Sequence, residues 1–140
     1  MTDDRPFLKD AIRGLLDAVA EEHPLRHQPS KAARYVFVSR DGTPVEVMFQ
    51  KDEDSPPNIW CHAAAAGAAL IAEQNPERSS VSDLRTKRGK DGKLPYGRHS
   101  ALENMLQLGD ADLVRFTPRT LAEVGRIIDR LRRVTASDLS

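Results

Sequence analysis

The chain is poor in the features that most readily declare a function. It has one cysteine, Cys61, in 140 residues. No disulfide within the chain is possible, and zinc has no support from a lone thiol. A cysteine-poor chain fits a reducing compartment, and the expected location is cytoplasmic. Basic and acidic residues number 21 each, so the formal net charge is zero. Bulk charge therefore argues for no nucleic-acid or membrane partner, and any such argument must come from local clustering. No apolar run approaches the roughly 20 residues of a membrane helix. The charged start, Met1 to Arg5, leads into an amphipathic segment and does not read as a signal peptide. Aromatic residues make up only 5%.

What is present describes one α+β domain over residues 1–140. Leu8, Ile12, Leu15, Leu16 and Val19 recur at helical spacing, which predicts a helix over 5–22 ended by His23-Pro24. A hairpin follows. Tyr35 to Val38 are strand formers, Asp41-Gly42 suits a tight turn, and residues 44–51 alternate. On that alternation Val45, Val47 and Phe49 face the core, and Glu46, Met48 and Gln50 face water. Residues 58–62 read as a third strand and Ala63 to Ala72 as a helix weakened by Gly67, with an irregular stretch as the alternative. Ser100 and Glu103 have the spacing of a capping box, predicting a helix to about Leu108. Leu113 to Phe116 reads as a fourth strand. Thr120 and Glu123 form a second capping box, opening a helix that runs to about Arg133. The tail 135–140 reads as frayed. The expected fold is a small antiparallel or mixed sheet, a hairpin plus two further strands, packed with three to four helices that cover one face.

Residues 76–99 are long for a structureless loop, and such loops are usually functional or disordered. Within them, Arg85 to His99 holds six Lys or Arg against one Asp, a local net charge of +5 in a neutral chain. This basic segment runs into the expected helix start at Ser100, where free N–H groups and the helix dipole favour an anion. Lys87, Arg88, Lys90, Lys93, Tyr96, Arg98, His99 and Ser100 are thus the candidate ligand-binding residues. Arg98 can grip phosphate oxygens and Tyr96 can stack on a base. The competing reading is a solvated loop. P-loop spacing is absent, so a nucleoside triphosphate has no specific support.

Other clusters carry less. Arg126, Arg130 and Arg133 share a helix face, and neighbouring acids can neutralise them. Glu46, Asp52 and Asp54 offer carboxylates to a metal-dependent nuclease, but such groups recur by chance. Cys61 and His62 are strand neighbours pointing to opposite faces, which disfavours a nucleophilic pair. The sequence implies no cofactor, no metal and no catalytic residue. The first expectation is a non-catalytic module that binds phosphate groups, most simply nucleic acid. The alternative is a protein-interaction or regulatory module, with a homodimer an open possibility. A small nuclease is third.

Overall fold

A computed structural model describes residues 5–81 and 98–139. Helix α1 (Arg5–Val19) is followed at once by a two-residue strand, β1 (Glu21–Glu22). The hairpin is β2 (Ala32–Val38) and β3 (Pro44–Gln50), paired antiparallel from Ala32↔Gln50 to Val38↔Pro44. Gly42 takes a φ of 86° in its turn, and the Asp41 carboxylate accepts from the Ser39 hydroxyl and the Thr43 amide. Strand β4 (Ile59–His62) leads into α2 (Ala63–Ala66) and α3 (Ala68–Gln74), then β5 (Glu77–Ser79). After Arg98 come a three-residue 3-10 turn (Ser100–Leu102), β6 (Leu113–Phe116), α4 (Leu121–Leu131) and α5 (Ala136–Leu139).

The fold is α+β. Six strands form one antiparallel sheet in the order β1-β2-β3-β4-β6-β5. The two strands beyond the expected four are the short edges, where two or three residues leave too little pattern to read. One face carries the main core. Tyr35, Phe37, Val45, Val47, Phe49, Cys61 and Phe116 pack there against Ile12 and Leu16 of α1, Ala65 of α2 and Ile127 and Leu131 of α4. Lys9 is the exception on α1. It is buried, and its ammonium donates to the carbonyls of Asp52 and Ser55, fastening the helix to the loop after β3.

Four expectations are corrected. The face assigned to water is covered: Glu46 is 7% and Met48 0% exposed. Residues 98–112 lie over it, packing Ala101, Leu102, Met105 and Leu108 against Ala32, Met48 and Leu113. A polar residue in an alternating strand goes outward only if nothing roofs that face, and here a third layer does. The helix expected over 100–108 is instead the 3-10 turn, with His99 rather than Ser100 as its cap: His99 Nδ1 accepts from the Ala101 amide at 3.0 Å. The tail is not frayed through its length, because α5 is tied down by Asp138 to Arg130 and by the Ala136 amide to Asp41. Finally, the alanine segment is two helices broken at Gly67. The second capping box forms as read on its Thr120 side, which accepts from the Glu123 amide, while the Glu123 carboxylate turns to the Arg119 amide.

Gly67 has a φ of 76° and a ψ of 151°, a conformation essentially confined to glycine. A Cβ there would stand 2.9 Å from Arg130 Nε, whose guanidinium donates to Ala65 O. Gly67→Ala is therefore expected to cost about 1–3 kcal/mol, read as a lowered urea midpoint.

Candidate functional site

Glu46 is the polar centre of the roofed sheet face. Its Oε1 accepts from the backbone amides of Gln107 (2.7 Å) and Leu108 (3.0 Å). Its Oε2 lies 2.5 Å from His23 Nε2. His23 Nδ1 in turn accepts from the Leu25 amide at 3.0 Å. A ring nitrogen that accepts carries no proton, so the neutral His23 holds its proton on Nε2 and donates it to Glu46. The side chain of Gln107 completes the arrangement. It accepts from the Glu46 amide and donates to Pro44 O, both at 2.9 Å. The β3–β4 ladder reaches only Met48 and Phe49 on β3. At the other end of β3 the Gln107 amide stands where a neighbouring strand would pair.

Beside this clasp an open cavity of about 530 Å³ cuts into the same face. Pro24, Leu25, Val36, Pro44 and Leu106 line it, together with the buried His23 and Glu46 and the polar Asn104 and Gln107. Its lining is almost wholly apolar. The volume falls within the roughly 300–1,000 Å³ usual for ligand sites. Two of the lining leucines stand out in solvent: Leu106 is 98% and Leu25 38% exposed. Both atoms that make a histidine–carboxylate pair catalytic are occupied here. Nδ1 is held by Leu25 and Nε2 by Glu46, so neither ring nitrogen is left to exchange a proton with a ligand.

Of the eight residues expected to bind an anion, the structure describes Arg98, His99 and Ser100. Lys87, Arg88, Lys90, Lys93 and Tyr96 lie outside the described residues. Arg98 is half-buried and its guanidinium donates to Ser79 Oγ (2.8 Å), Ser79 O (2.9 Å) and Leu108 O (3.3 Å). It staples the edge strand to the roof segment. His99 is spent on its cap. Ser100 Oγ accepts from Gln28 Nε2 at 3.4 Å. The amides of Ala101, Leu102 and Glu103 are taken by His99 Nδ1, His99 O and Ser100 O. No long helix begins here, so the dipole invoked for anion binding is missing.

The other clusters resolve into structure. Arg126 pairs with Glu73, Arg130 with Asp138 and Arg133 with Asp129, which balances the basic stripe on α4. Asp52 accepts from the Ser55 hydroxyl, six residues along the chain from Glu46. Among the described residues no three of His, Cys, Asp and Glu gather so as to hold a metal ion. Cys61 is fully buried, and burial pushes its thiol up to about 12, leaving no thiolate nucleophile at neutral pH. No helix among the described residues is long and apolar enough to cross a membrane.

Compared with known proteins, the chain matches no family model, no curated protein and no solved structure. The functional reading is carried by the site alone.

Sequence reasoning missed the groove because it sent Glu46 outward. One signal was available. Met48 shares the face of Glu46, and Leu102, Met105 and Leu108 form an apolar set that needs a surface to cover.

Removing the clasp tests its weight. Glu46→Gln leaves one oxygen for the Gln107 and Leu108 amides and sets an NH2 group against His23 Nε2–H. A loss of about 2–4 kcal/mol is expected. In hydrogen exchange, the Gln107 and Leu108 amides should lose protection beyond what the global loss explains.

Proposed function

We propose that this protein is a non-catalytic binding module whose groove receives an apolar side chain of a protein partner. The observation that carries the reading is the open apolar cavity between Leu25 and Leu106. A cavity of this size with so little polar lining favours an uncharged, apolar occupant. The rim argues for a macromolecule. A small molecule seated in the cavity would leave the outer side of Leu106 in water, whereas a partner's surface would cover rim and cavity together. Covering such a side chain is worth about 1.5–3 kcal/mol. The His23–Glu46 pair, already satisfied, lines the groove without asking the ligand for a hydrogen bond.

A second reading, a phosphate or nucleic-acid module, keeps one specific support: the +5 charge of Arg85 to His99 in an otherwise neutral chain. Arg98 fastens the end of that stretch beside the edge strand through neutral oxygens only, so these three bonds do not cancel its charge. The candidate contacts are Lys87, Arg88, Lys90, Lys93 and Tyr96.

Peptides selected from a random displayed library against the full chain separate the two. The groove reading expects selected peptides to carry a bulky apolar residue and to bind at least about tenfold more weakly to Leu106→Glu, because a carboxylate at the rim must be desolvated on binding. It expects no change with Lys87→Ala/Arg88→Ala. A labelled single-stranded oligonucleotide tests the other. Binding at low salt that falls steeply with added salt and with Lys87→Ala/Arg88→Ala, but not with Leu106→Glu, would overturn the groove reading in favour of phosphate contacts.

A further inference from the structure

The chain contains four histidines, and all four use the ring in one way. His23 Nδ1 accepts from the Leu25 amide, His27 Nδ1 from Arg34, His62 Nδ1 from Ala64 and His99 Nδ1 from Ala101, each at 3.0 Å. Three of these bonds reach two residues ahead and close a tight turn. His62 and His99 cap the starts of α2 and the 3-10 turn. A neutral imidazole has one acceptor nitrogen, and an imidazolium has none. Protonation places an N–H at Nδ1, head-on against the backbone N–H it had accepted.

We infer that the four imidazoles form an acid-release device: each anchors a backbone amide only while neutral, so proton uptake frees four anchors together. Two of them, at His23 and His99, hold the segments that line and roof the groove. The inference stands whatever occupies that groove.

The charges around each ring pull in both directions. Glu46 faces His23 from β3. Around His27 stand Glu22 at 3.9 Å and Asp17, which favour the charged ring, and Arg13 and Lys51, which oppose it. The Tyr35 ring packs on His27 with centroids 4.9 Å apart. Asp112 faces His62. Asp52 faces His99, opposed by Lys31 and Arg34. For His27, His62 and His99 burial outweighs these acids and holds the pKa below its ordinary value.

A folded-state pKa below the unfolded value means that the unfolded chain binds more protons between the two. The cost to stability is absent well above the ordinary histidine value of about 6.5 and grows as pH falls below it. Exposed carboxylates with lowered pKa, such as Asp138, lose their contribution only in more acid solution, at and below the ordinary carboxylate range.

Two measurements on the full chain test this. Nitrogen-15 NMR at pH 7.5 should report all four rings as the Nε2–H tautomer. A ring found with its proton on Nδ1 would overturn the device. Urea unfolding, followed by Trp60 fluorescence, should show the unfolding constant rising about tenfold or more from pH 6.5 to 5.5, since one fully withheld proton gives tenfold per pH unit. His62→Asn/His99→Asn keeps a side-chain acceptor for the amide two residues on but does not titrate. Of the three rings with a lowered pKa only His27 then remains, so the pH dependence should fall to about a third of that of the wild type while the midpoint at pH 7.5 is retained. An unfolding constant flat across that range, or a double variant as pH-sensitive as the wild type, would refute the inference.

Discussion

The roof over the second sheet face depends on one carboxylate. Residues 98–112 are irregular apart from one 3-10 turn, so they satisfy few of their own backbone groups. Irregular chain buried against a sheet is costly unless its amides find acceptors. Glu46 supplies them, taking two consecutive amides on one oxygen and His23 on the other. A buried carboxylate is itself expensive, and three donors offset that cost. Gln107 returns the favour by pairing with the β3 backbone where β4 does not. Once this polar seam is in place, Leu102, Met105 and Leu108 are held over Met48 and form a second core.

The groove is a consequence of where that roof stops. It covers the sheet at Met48 and Leu113 but leaves Val36 and Pro44 open beside Leu106. The seam that secures the roof thus also shapes one side of the cavity. His23 couples it to Leu25, because the ring that donates to Glu46 accepts from the Leu25 amide.

The arginines divide in a way their spacing does not reveal. Arg98 and Arg130 serve as long hydrogen-bonding arms, reaching carbonyls at Leu108 and Ala65. Arg126 and Arg133 stand on an outer face and find carboxylates from α3 and α4. A guanidinium is suited to both tasks through its rigid fork of donors. Local basicity on α4 is therefore charge already balanced.

Periodicity in the chain determined α1, the hairpin, β4, β6 and α4, because each buries a repeating apolar face, and the hairpin and α4 carry their own turn and cap chemistry. Thr120 and Asp41-Gly42 were readable for that reason. Glu46, His23 and Arg98 were not readable, since their partners lie 61, 23 and 19 residues away in the chain. A polar side chain is called to the surface or the interior by what covers it. Nothing in an alternating strand says whether distant, irregular chain will return to roof its polar side. The edge strands β1 and β5 were likewise invisible, being too short to show a period and formed only by the neighbours they join. Local pattern thus decided which elements exist, and contacts closed over long loops decided which face is dry, which charges are spent and where a groove remains open.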